Sequence, residues 1–182
     1  PSTGALPVPD NVLAKARRIL PEGQTYVGLA PGVGHLVKAW PRYKFEKVAQ
    51  AQMQKGRVPV FILGPQELNW HDELMATVPA AKFPLQEYEI WGNPVITLDH
   101  TLAIGRLLDV AVANDSGAGH MLAAADCPLI SLFGPTMPDK LAPRVSRSHV
   151  IRAQDFGSSL MREIPWEAVN DAIDKMLAAK PA

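Results

Sequence analysis

Asp115, Ser116 and Gly117, with His120 one helical turn further on, are the residues of this chain best placed to do chemistry. They open a helix, Gly117 to Ala125, directly after a short apolar run from Val110 to Ala113. A helix that begins in this way presents unpaired backbone N–H groups and a partial positive charge, which suit a phosphate or a diphosphate. Asp115 and Ser116 also read as helix caps, and the two roles are compatible. A carboxylate beside a phosphate is repulsive unless it faces something else, and sugar hydroxyls would serve Asp115 as that partner. His120 shares a helical face with Ser116, where an imidazole either donates to a phosphate or sugar oxygen or stays a half-buried structural side chain.

Three further turns carry polar residues in equivalent places. Pro31-Gly32-Val33-Gly34 follows the apolar run Tyr26 to Ala30, and Lys38 lies in the same loop, either reaching a phosphate or simply solvated. Gly64-Pro65-Gln66-Glu67 follows Val58 to Leu63. Glu67 there suits ribose hydroxyls, or is a favourable charge in the first turn of a helix reaching about Thr77. Gly134-Pro135-Thr136 follows Leu129 to Phe133. Open parallel sheets bind ligands at the carboxyl ends of their strands, so these four turns should meet at one crevice. That pattern supports a nucleotide-type ligand without identifying it.

The elements that must position these turns alternate as βαβ units, an α/β pattern with a buried parallel sheet. A proline-rich lead, Pro1 to Pro9, precedes an amphipathic helix that Asp10 caps and that carries Val12, Leu13, Ala16, Ile19 and Leu20 on its apolar face. Phe45, Val48, Ala49 and Met53 mark one face of a second helix, closed by Lys55-Gly56. Pro79 to Pro94 has no clean period and reads as irregular connection, its aromatic residues either touching a base or covering the core. Val95 to Leu98 reads as a short strand, followed by a helix from Thr101 to Leu108 capped by Asp99. Pro128 should end the helix begun at Gly117. Lys140 and Arg144 add positive charge to the loop after Thr136, and His149 to Ile151 is the expected last strand. Pro165 starts a final amphipathic helix with Trp166, Val169, Ile173, Met176 and Leu177 on one face.

Composition narrows the function classes. The chain has 182 residues, 47% of them hydrophobic and 20% charged, enough for one domain with a full core. Eighteen basic residues balance eighteen acidic ones, so there is no electrostatic case for nucleic acid. The single cysteine, Cys127, excludes an internal disulfide and reads as a buried apolar filler in a reducing cytosol. No apolar run of about 18 residues spans a membrane, and no leader sequence is evident. Neither a metal-ligand spacing nor a covalent nucleophile with its base is present. The first residue is Pro1, which fits a piece of a longer protein.

The segments NDSGAGHMLAAA and PLISLFGPT, together with APGVGHLVKAWP, ILGPQE and IPWEAV, resemble glycosyltransferase family 9, the lipopolysaccharide heptosyltransferase family. The resemblance covers nearly the whole chain. It implies a Rossmann-like domain with helices on both faces of a parallel sheet, the donor-binding C-terminal half of a two-domain GT-B enzyme. It further implies a nucleotide-diphospho-sugar donor, ADP-heptose first among the candidates, bound without a metal or other cofactor. With the turns read above, Gly32, Lys38, Gly64, Glu67, Asp115, Ser116, Gly117, His120, Pro135 and Thr136 are the expected donor-binding positions. Lys38 corresponds to the family's phosphate ligand and Glu67 to a glutamate at the ribose. The family's catalytic base would lie in an N-terminal domain expected to be absent from this stretch, so the chain alone should bind donor but transfer nothing. The glycan or glycolipid acceptor would also belong to that domain. The implied location is cytoplasmic, with peripheral membrane contact only in a full-length protein. A UDP-sugar transferase or epimerase half, and a free-standing nucleotide-sugar sensor, share the same fold-level pattern.

Overall fold

The computed structural model describes residues 4–135 and 147–180. Five parallel strands form one sheet: β1 (Tyr26–Ala30), β2 (Val58–Phe61), β3 (Val110–Asn114), β4 (Leu129–Phe133) and β5 (Ser148–Arg152), in the order β2-β1-β3-β4-β5. Alternate residues of the central strands enter opposite cores. Val27, Leu29, Val110 and Val112 meet helices α2 (Arg42–Gln54) and α7 (Trp166–Ala178) through Phe45, Val48, Val169 and Ile173. Tyr26, Ala30, Ala111 and Ala113 meet α1 (Asp10–Ile19), α5 (Leu98–Leu107) and α6 (Gly117–Ala124) through Ala16, Ile19, Ile104 and Leu122. Burial on both faces is why these strands read as continuous apolar runs. The result is a Rossmann-like α/β fold.

β2 stops at Phe61, two residues before the end its composition implies. At that edge Phe61 N donates to Lys82 O and Lys82 N to Pro59 O, both at 2.9 Å, so the Lys82 segment covers the outer side of the strand. Pro59 therefore sits on the side of an edge strand where a missing N–H costs no bond to β1. The chain then turns through a 3-10 helix (Pro65–Trp70) into α3 (His71–Thr77).

Several expected boundaries are corrected. Asp10 is the first helical residue of α1 rather than its cap, with Pro9 before it. Val95 to Leu98 is no strand. The amide of Val95 is taken by Asn93 Oδ1 at 2.9 Å, and α5 begins at Leu98, earlier than Thr101, because the Thr97 amide donates to His100 Nδ1 at 3.2 Å. The segment from Pro79 to Pro94 holds a one-turn helix (Pro84–Gln86) and a short helix α4 (Tyr88–Trp91). Its Trp91 is buried and donates to Pro84 O at 2.8 Å, so this aromatic residue covers the core. α6 ends where Asp126 turns left-handed at φ 57°, before Pro128. Cys127 is buried, and burial raises its thiol pKa well above the ordinary range, as befits an inert filler.

Candidate ligand site at the carboxyl edge of the sheet

The turns after β1, β2 and β3 meet, as the strand pattern requires, around a cavity of about 740 Å³. That lies within the ~300–1,000 Å³ usual for small-molecule sites. Gly32, Gly64, Glu67, Ser116 and Gly117 all line it.

The floor is the start of α6. Ser116 caps the helix, its Oγ accepting from Gly119 N at 3.3 Å. A Cβ on Gly119 would lie 3.2 Å from Asn114 O and 3.3 Å from Ala113 Cβ, so a larger residue there would press the start of α6 a few tenths of an ångström away from β3. With one of the first N–H groups satisfied by the cap, those of Gly117 and Ala118 remain for a ligand, and both residues line the cavity.

Glu67 joins the first two turns. Its side chain is buried and accepts from Gly64 N at 3.2 Å. A Cβ on Gly32 would come 2.6 Å from Glu67 Oε1, so a side chain there would push that carboxylate from its place against the β1 turn. A carboxylate has more acceptor capacity than this one bond uses, and the remainder suits hydroxyl donors.

Lys38 ends a one-turn helix (Leu36–Lys38), and its Nζ lies 3.1 Å from Asp115 Oδ2. The Asp115 side chain is 8% exposed and that of Lys38 24%, so the carboxylate is the more shielded partner and the lysine the more accessible one. The ammonium offsets the charge that an unaccompanied Asp115 would set against a phosphate. Two sequence-distant candidates are thus brought together beside the cavity rather than on its lining.

Sequence reasoning missed the device that holds this loop. Asn114, at the end of β3, is 2% exposed; its Oδ1 accepts from Trp40 N at 3.1 Å and its Nδ2 donates to Pro31 O at 3.0 Å. It clamps both ends of the loop that carries Gly32 and Lys38. Trp40 in turn donates from Nε1 to Ile164 O at 3.1 Å and meets Phe45 edge-on at 4.9 Å. Lys44 donates to the same Ile164 carbonyl at 2.9 Å and to Arg162 O, and its desolvation lowers the amine's pKa. An asparagine at the end of an apolar strand was the available signal, but it reads equally well as an ordinary turn former.

The remaining candidates fall outside this cluster. His120 is exposed and does not line the cavity. Pro135 is exposed, while the preceding Gly134 is packed against the Met161 segment: a Cβ there would lie 2.8 Å from Met161 Sδ, and Gln154 Nε2 donates to Gly134 O at 2.5 Å. Thr136, Lys140 and Arg144 lie outside the described residues. Conversely, Leu85, Gln86, Tyr88, Val95 and Leu98 line the cavity from segments whose structure their sequence did not disclose. Among the described residues no group of three or more His, Cys, Asp or Glu side chains is placed to hold a metal ion, and no helix is long and apolar enough to cross a membrane.

Residues 2–165 match the model of glycosyltransferase family 9 (heptosyltransferase). The chain belongs to glycosyltransferase family 9. Lipopolysaccharide heptosyltransferase 2 of Salmonella typhimurium is 27% identical over 130 residues, which are 69% of this chain and 36% of that protein. A family 9 glycosyltransferase from Veillonella parvula superposes with a TM-score of 0.81 at 19% identity, over 97% of this chain and 54% of that one. The Escherichia coli heptosyltransferase WaaC with ADP superposes at 0.72 and 19% identity, over 88% and 48%. At such identities the superpositions speak for the fold. This family 9 chain spans about half the length of those structures and about a third of the Salmonella protein.

Proposed function

We propose that this chain is the donor-binding half of a family 9 glycosyltransferase and holds an ADP-linked sugar, a heptose, for transfer to a lipopolysaccharide core or related surface glycan. The observation that carries the reading is the junction of three features at one sheet edge: an apolar cavity, the start of α6 at its floor, and Lys38 beside it on Asp115. The cavity suits a base, Glu67 the ribose hydroxyls, and the Gly117 and Ala118 N–H groups with Lys38 the diphosphate. The likeness to a heptosyltransferase structure that contains ADP supports the same assignment.

In such a transfer the acceptor hydroxyl attacks the anomeric carbon, a base takes its proton, and the bond to the diphosphate breaks. The departing diphosphate gains negative charge, and fixed N–H dipoles and an ammonium stabilise it. This chain supplies that second part through α6 and Lys38, with no metal required for the charge. Asp115, the only carboxylate in the motif, is shielded and engaged by Lys38, a poor arrangement for a base that must meet an acceptor across a cleft. The base, the acceptor site and the closure that excludes water belong to a second domain.

Incubating the chain with ADP-heptose and a truncated glycolipid acceptor tests this division. The chain alone transfers nothing; adding a family 9 N-terminal domain restores transfer, and EDTA leaves donor affinity unchanged. Transfer by the chain alone that is abolished by Asp115→Asn would make Asp115 the base and refute the assignment.

A further inference from the structure

One wall of the cavity holds a polar group that the site described so far does not use. Gln86 ends the one-turn helix Pro84–Gln86 and lines the cavity beside Leu85 and Tyr88. Its Nε2 donates to Leu63 O at 3.2 Å. That carbonyl can only accept, so the half of the amide turned to it must be the NH₂, and the bond settles which way the amide is oriented. The other half, Oε1, is buried and has no hydrogen-bond partner among the described residues. A buried acceptor without a donor is unfavourable, and either an ordered water or a bound ligand would satisfy it. The surrounding wall, with Leu63, Leu85, Ile96 and Met121, is apolar and suits the faces of a planar base.

We propose that Gln86 selects the base of the bound nucleotide by accepting a hydrogen bond from an exocyclic amino group, which favours adenine over bases that present a carbonyl oxygen there. The inference rests on the nucleotide-sugar reading above and adds the residue that sets its base specificity. Adenine carries a donor at its 6-position, hypoxanthine carries an acceptor, and unsubstituted purine carries neither. Oε1 is shielded in the free chain, so presenting it to a base seated on this wall takes a turn of glutamine's broad terminal torsion that draws Nε2 away from Leu63 O. A site built around one hydrogen bond rejects the analogue that lacks it, because the protein's own group is then left unpaired.

Calorimetric titration with ADP, inosine 5′-diphosphate and purine riboside 5′-diphosphate reads this directly. The parent chain binds ADP about 10-fold more tightly than either analogue, the size expected of one hydrogen bond. Gln86→Met, which keeps the apolar stem and removes the acceptor, brings all three within about 2-fold by weakening ADP alone. Gln86→Leu serves the same test if Gln86→Met does not fold. Equal binding of the three ligands by the parent overturns the inference, and so does an ADP preference that survives both variants; the nucleotide reading stands in either case. Failure of the parent to bind any of the three overturns both.

Discussion

Replacing Lys38 by methionine should weaken ADP binding strongly while barely affecting the fold, and the geometry fixes how the effect divides. The ammonium contacts Asp115 Oδ2 at 3.1 Å, and the partly exposed lysine has further donors for a ligand. A hydrogen bond from a charged group to a phosphate is worth about 1.5–3 kcal/mol, or roughly 10- to 150-fold in Kd. The variant also leaves the Asp115 carboxylate unneutralised next to the diphosphate, which adds repulsion of the same order at an intermediate dielectric. Asp115→Asn should remove that repulsion, so Lys38→Met/Asp115→Asn should bind ADP more tightly than Lys38→Met alone. The pair is only partly buried, so Lys38→Met should cost about 1 kcal/mol of stability, a Tm change of roughly 2–4 °C. Isothermal calorimetry with ADP on the four chains, alongside thermal melting, measures all of these terms. Lys38→Met binding ADP as tightly as the parent, or the double variant binding more weakly than Lys38→Met, would refute the reasoning.

Three other outcomes follow from named contacts. Gly32→Ala places a Cβ 2.6 Å from Glu67 Oε1, so it should displace the carboxylate and weaken ADP binding by about 10-fold or more at nearly unchanged circular dichroism, as calorimetry would show. Asn114→Ala leaves the buried Trp40 amide and Pro31 carbonyl without partners; it should cost about 2–4 kcal/mol in urea unfolding, and should weaken ADP binding because the Lys38 loop loses its clamp. His100 has its pKa lowered from the usual 6.5 chiefly by burial, with Asp99 raising it and Lys15 lowering it further. The unfolded chain then binds the proton more readily, so the contribution of neutral His100 is complete above about pH 6.5 and is lost as pH falls below that towards the folded-state value. Nδ1 also has to stay unprotonated to accept from Thr97 N. Melting curves from pH 7.5 down to 5 should show this loss, and His100→Gln should remove it.

Five of the six expected strands and the helix at Gly117 were legible because each rests on local chemistry, whereas Val95 to Leu98 is not a strand. Val110 to Ala113 and Leu129 to Phe133 are apolar on both faces, and Ser116 caps α6 as its type implies. The meeting of the first three turns also followed, since parallel strands place their carboxyl ends on one edge, whereas the fourth, at Gly134, packs against the Met161 segment instead. Other features depended on contacts far apart in sequence. Nothing local shows that Lys38 reaches Asp115, or that Asn114 clamps both Pro31 and Trp40. The early start of α5 turns on a histidine accepting the Thr97 amide, a bond that propensity does not reveal. The cavity wall was hidden for a related reason: Val95 and Leu98 are 63% and 49% exposed, whereas their types predict burial.

Titration of the parent chain with ADP and with UDP, each in the presence of EDTA, tests the central claim most directly. The account predicts saturable ADP binding that does not depend on a divalent metal and is at least about 10-fold tighter than UDP binding. Clear UDP binding without ADP binding would contradict the ADP-linked donor while leaving the fold intact, and no binding of either nucleotide would contradict the assignment of this sheet edge as a donor site.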